Sequence, residues 1–95
     1  MYAGGFGPSL DNPEKLDGYM IDRAGEAELM DIQMDNEALI FTKRYLHRED
    51  LIGYSFKKQP NGTWEGGYLG NKDVGEGASR CIITAAPDDF FLRRS

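Results

Sequence analysis

Apolar and polar residues alternate along most of this chain with a period of two, the pattern of strands that bury one face. The clearest case is Leu51 to Gly70, LIGYSFKKQPNGTWEGGYLG. Ile52, Tyr54 and Phe56 alternate with Leu51, Gly53, Ser55 and Lys57 on one arm, and Trp64, Gly66 and Tyr68 alternate with Thr63, Glu65 and Gly67 on the other. Pro60-Asn61-Gly62 between them supplies a preset φ, a tolerant second position and a glycine for the left-handed last position of a three-residue hairpin loop. That loop pairs Lys58 with Trp64, Phe56 with Gly66 and Tyr54 with Tyr68. All the apolar members then share a face, which a one-residue slip would split.

The same pattern predicts further strands. Lys15–Asp22 puts Leu16 and Met20 on one face and Tyr19 and Ile21 on the other, and Arg23-Ala24-Gly25 reads as a second three-residue loop. Ala27–Met34 follows with Met30, Ile32 and Met34 facing one way; its length between turn signals favours strand, although its residues are good helix formers. Asp35-Asn36 reads as a two-residue turn into Glu37–Leu46, with Leu39, Phe41 and Tyr45 inward and Lys43 interrupting that set. His47-Arg48-Glu49-Asp50 forms a polar loop, Asn71–Gly77 another, and Ala78–Ala85 a further strand with Cys81 and Ile83 on one face.

The ends are less patterned. Residues 1–14 carry three glycines and two prolines without periodicity and read as a flexible tail. Pro87–Ser95 suits a short helix by the placement of its charges, or a closing strand through Phe90-Phe91-Leu92. The expected architecture is a single all-β domain over residues 15–95. It is a six- to seven-stranded antiparallel meander that closes into a small barrel or flattened sandwich, so that its apolar face is covered.

Phe41, Lys43, Tyr45, Tyr54, then Gly62-Thr63-Trp64, Gly66 and Tyr68 carry a pattern that resembles the small up-and-down barrels of the lipocalin and avidin type. The resemblance spans about residues 38–84. The lipocalin Gly-x-Trp lies in the first strand, whereas this one lies mid-chain. What the resemblance implies is the barrel architecture and, with it, a small-ligand binder as one functional reading.

Composition narrows the function. The chain has 95 residues, 40% of them hydrophobic, with a formal net charge of −5. Such an acidic chain argues against nucleic acid, which needs clustered Lys and Arg. The single cysteine excludes an internal disulfide and suits a reducing compartment; no apolar run is long enough for a membrane helix, and the N-terminal stretch lacks a secretory pattern. The expectation is a cytoplasmic protein without a membrane partner.

Chaining the predicted registers places Glu28, Lys43, Tyr54 and Tyr68 in one inward row. A charged pair flanked by two phenols can orient a polar group of a ligand. The competing reading is a rim ion pair that only covers core; burial of the pair would favour function, because buried charges are costly. Trp64 is a further candidate contact, through Lys58 or through a partner. His47 lacks a second ligand at zinc spacing, and the Asn71, Asp73 and Glu76 oxygens lack EF-hand spacing. No cofactor, no metal and no catalytic constellation emerges. A barrel this small is expected to fill its interior with its own side chains. The expected function is therefore a non-catalytic module that binds a protein partner or self-associates through an edge strand. The small-ligand binder, using Glu28, Lys43, Tyr54, Tyr68 and Trp64, is the alternative.

Overall fold

In a computed structural model, residues 2–12, 14–47, 49–70, 74–86 and 89–94 are described, for 84–86 and 89–94 by their backbone alone. The alternation becomes eight antiparallel strands: β1 (Ala3–Pro8), β2 (Leu16–Asp22), β3 (Gly25–Met34), β4 (Ala38–Tyr45), β5 (Leu51–Lys58), β6 (Trp64–Leu69), β7 (Glu76–Ala86) and β8 (Asp89–Arg94). Each pairs with the next, and β8 pairs with β1, so the sheet curls into a closed barrel. The Cα envelope measures 36 × 35 × 19 Å, a flattened cross-section. None of the described residues forms a helix long and apolar enough to cross a membrane.

The strand count exceeds the six or seven expected because both ends of the chain are strands. Residues 3–8 are not a tail. Gly4 lets β1 press against β2 more closely than a side chain would permit: a Cβ there would lie 2.2 Å from the Tyr19 carbonyl oxygen. Phe6, only 4% exposed, anchors the strand in the core. Asp89–Arg94 is the closing strand rather than a helix, with Phe91 registered on Gly5 and on Thr84.

The Leu51–Gly70 hairpin forms with the expected register: Lys58 faces Trp64, Phe56 faces Gly66 and Tyr54 faces Tyr68. Its loop closes with Gln59 N–H to Thr63 O at 2.7 Å, and Gly62 takes φ 89°, the left-handed conformation the turn requires. The Arg23-Ala24-Gly25 link is tighter than expected. Gly25 is itself paired with Asp22, at φ 122°, so only Arg23 and Ala24 turn the chain.

Two registers differ from expectation. The β4–β5 pairing is displaced by two residues, so Phe41 faces Tyr54 and Lys43 faces Ile52. An even displacement keeps every side chain on its face. The β3–β4 turn is longer than Asp35-Asn36, because the Asp35 carboxylate accepts the Glu37 and Ala38 N–H groups and Asp35 N–H bonds to Ala38 O. A bulge between Met30 and Gln33, with Asp31 at φ 52°, then adds one residue to β3. The bulge switches the phase of β3, so Ala27, Leu29 and Ile32 are the buried set and Met30 is not.

The core fills the end of the barrel where the β5–β6 turn lies. Phe41, Phe56, Met20, Leu39 and Cys81 are almost wholly enclosed; each large apolar side chain buried there contributes roughly 1.5–3 kcal/mol. Phe56, Phe41, Tyr54 and Tyr68 form a run of neighbouring rings with centroid separations of 5.0–6.0 Å, leading from that core toward the opposite mouth.

A tyrosine-lined mouth around a buried lysine

The second mouth is built where β2 and β4 end and β3 and β5 begin. Lys43 follows the inward phase set by Leu39 and Phe41, and so its ammonium enters the barrel, 3% exposed. Its Nζ donates to Asp22 Oδ2 at 2.9 Å and to Tyr45 Oη at 3.0 Å, while the Tyr45 hydroxyl donates to the same carboxylate oxygen at 2.5 Å. The other oxygen, Asp22 Oδ1, accepts the Ala24 N–H at 2.8 Å, which ties the cluster to the β2–β3 turn. The ammonium also lies 4.6 Å from the Tyr45 ring centre and 5.0 Å from that of Tyr54, two cation–π contacts. Among the described residues no buried side-chain nitrogen or oxygen lacks a hydrogen bond.

The electrostatics follow from this closure. Burial alone would raise the Asp22 pKa, but the hydrogen bonds from Tyr45, Lys43 and the Ala24 N–H, with the lysine charge, outweigh it and hold the carboxyl below its usual 3.8. Burial works against the Lys43 ammonium too, yet its interactions with Tyr45, Tyr54 and Asp22 raise its pKa above 10.5. The Tyr45 phenol is pushed above 10.0 by burial and by its bond to Asp22. At neutral pH the cluster is an ion pair bridged by a neutral phenol.

Beside it lies a cavity of about 790 Å³, bounded by Lys43, Tyr45, Ile52, Tyr54, Tyr68 and Tyr2 among others. Four of the chain's five tyrosines line it. The filled interior expected of so small a barrel is therefore found at one end only. The reason is the β6–β7 wall, where the inward pair is Gly66 with Ser79, next to Tyr68 folded over Gly77. Small residues there leave the space that large ones occupy at the other end. Tyr2 closes one side, its hydroxyl donating to Arg80 O at 2.8 Å and lying 3.2 Å from Ser79 Oγ.

Of the residues singled out from sequence, Lys43, Tyr54 and Tyr68 meet at this mouth. Glu28 does not: the one-residue phase change in β3 turns it outward, where it pairs with Arg44. Trp64 is 4% exposed and packs near the β5–β6 turn, at the opposite end from the mouth. Asp22, Tyr45, Tyr2 and Ser79 were missed. Asp22 had a signal, since it shares the phase of Met20 and ends its strand beside a turn. His47 is exposed in its loop. The Asn71, Asp73 and Glu76 oxygens considered for calcium lie mainly outside the described residues, since 71–73 are not among them. No protein-family model, no curated protein and no solved structure matches this chain.

Proposed function

We propose that the barrel is a non-catalytic binding protein that takes a small molecule into the tyrosine-lined mouth. The observation that carries this reading is the coincidence of space and buried charge. About 790 Å³, within the usual range of ligand pockets, borders an ammonium that is 3% exposed. An isolated rim pair does not need such burial, and burying the ammonium costs stability that an apolar residue of similar size would not. The raised Lys43 and lowered Asp22 pKa values suit a fixed dipole rather than a proton-transfer pair at neutral pH. The likeness to lipocalin and avidin-type barrels points the same way, as architecture only. The outward Glu28–Arg44 and Glu65–Arg80 ion pairs suit an aqueous surface rather than lipid.

A protein-interaction module is the second reading. Its support is Ile40 and Leu69, 48% and 64% exposed, flanking a shallow outer trough floored by Gly53, Ser55 and Gly67. Because β1 and β8 pair with each other among the described residues, this reading rests on that outer face rather than on an edge strand.

The test is a screen of small aromatic and carboxylate compounds by amide NMR shifts and thermal unfolding. Shifts confined to Gly66, Gly77 and Ser79, with stabilisation of about 2.7 kcal/mol at a hundredfold excess over Kd, are expected. A broad library that moves none of these amides overturns the proposal.

A further inference from the structure

The charges at the mouth are arranged unequally, and this bears on what it would accept. Lys43 lines the cavity, whereas Asp22 does not. The carboxylate is turned away, its Oδ1 held by the Ala24 N–H of the β2–β3 turn and its Oδ2 shared by Tyr45 and Lys43. The lysine of the pair, and not its carboxylate, therefore belongs to the cavity wall. Glu65 and Arg80 border it only from the outer side of the β6–β7 wall, where they pair with each other.

Tyrosine rings often receive cations, but two of these are already used. Lys43 Nζ lies over Tyr45 and Tyr54, so an incoming cation would meet rings engaged elsewhere and a like charge beside them. An acceptor group meets the opposite situation. Tyr68 lines the cavity; among the described residues its hydroxyl has no hydrogen-bond partner, and it lies over Gly77, where a Cβ would come within 2.7 Å of it. That phenol can donate to a carboxylate. The tilted Tyr54 and Tyr68 rings, 5.8 Å apart, offer apolar faces beside it.

We infer that the ligand is an aromatic molecule carrying an anionic group, and that the Lys43–Asp22 dipole, with the Tyr68 hydroxyl, selects it against a cationic analogue of the same shape. The inference rests on the small-molecule reading above and adds its chemical class.

Three probes of one ring system separate the possibilities: 2-naphthoate, 2-naphthamide and 2-naphthyltrimethylammonium, titrated calorimetrically into the full chain. The anion should bind more tightly than the amide, and the cation about tenfold more weakly than the anion, the scale of one partly screened charge contact. Asp22→Asn, which keeps an acceptor for Tyr45 and Lys43, should tighten naphthoate. Lys43→Met vacates two rings and leaves Asp22 unopposed, so it should reverse the order. Equal binding of the three probes, or a preference for the cation in the native chain, overturns the assigned class while leaving a ligand site in place. Binding of none of them, with no compound moving the Gly66, Gly77 and Ser79 amides, overturns both. If Lys43→Met does not fold, Asp22→Asn decides: unchanged naphthoate affinity refutes the dipole as selector.

Discussion

Replacing Lys43 by Met is the most informative single perturbation, because it removes one charge from the barrel while nearly preserving volume. The structure sets its magnitude. Lys43 is 3% exposed and makes two charge-assisted hydrogen bonds, to Asp22 and Tyr45. Breaking a buried pair by deleting one partner costs about 3–5 kcal/mol. Asp22 keeps its bonds from Tyr45 and Ala24, and its side chain is 17% exposed, so the loss falls just below that range, at about 2–3 kcal/mol. For a domain of this size that lowers Tm by roughly 8–24 °C. Urea unfolding followed by Trp64 fluorescence measures it. The pH dependence supplies a second readout. Asp22 has its pKa lowered in the fold, so its stabilisation is present above the usual 3.8 and is lost as pH falls through the lower folded value. Lys43→Met removes part of that lowering, so the variant should lose less stability on acidification than the parent does. Adding Asp22→Leu should recover most of the loss, since an apolar pair replaces an orphaned carboxylate. A single variant as stable as the parent, with an unaltered acid profile, would refute the account of the cluster.

Three further outcomes follow from the packing. Gly66→Ala should cost at least about 2 kcal/mol in urea unfolding, because its Cβ would fall 1.7 Å from the Ser55 carbonyl oxygen, whereas Gly53→Ala, with its nearest atom 3.8 Å away, should stay within about 0.5 kcal/mol; equal effects would contradict the described approach of β5 and β6. Burial pushes the Cys81 thiol up to about 12, against a smaller opposing effect of Tyr2, so Ellman's reagent should label the native protein only as fast as it opens, and immediate labelling would contradict it. Deleting Asp31 removes the residue at φ 52° and leaves Leu29, Ile32 and Met34 in one uninterrupted inward phase, still opposite Lys43, Phe41 and Leu39; the deletion should fold with stability unchanged or slightly raised, read by amide spectra and melting, and an unfolded product would show that the bulge is required.

The legible parts of this barrel are those where turn chemistry and alternation agree. Pro60-Asn61-Gly62 and the Tyr54/Phe56 and Trp64/Tyr68 alternation specify one register, and that register is the one observed. The inward placement of Lys43 was equally legible, because it shares the phase of Leu39, Phe41 and Tyr45. Its partner was not. Which carboxylate reaches Lys43 depends on the β3–β4 ladder, where an Asp35 side chain lengthens the turn and Asp31 inserts a bulge. Each alters the register without disturbing the local alternation on either side, so a period-two pattern carries no trace of them. β1 was hidden for a related reason. Ala3–Pro8 has no alternation because its glycines carry no side chain, and Gly4 serves close backbone approach instead.

The division between the two ends of the barrel follows from residue size on one wall. Along β6 and β7 the inward pairs run Trp64 and Cys81, then Gly66 and Ser79, next to Tyr68 folded over Gly77. At the first pair the wall is bulky and the interior closes on Phe56 and Phe41. At the second it is almost bare, and the backbone itself lines the cavity. Beside that bare wall stand Tyr54 and, one strand further, Lys43, which the filled end could not hold without a partner for its charge. Asp22 can supply that partner because the two-residue turn after it brings β2 to an end at the same level as the end of β4. The mouth thus requires three independent features in register: small residues on β6–β7, a lysine in the inward phase of β4, and an acid at the last position of β2. A stable closed barrel requires none of them, since apolar residues at all three would pack the interior through. Their coincidence at one end is the physical argument for reading that end as a site.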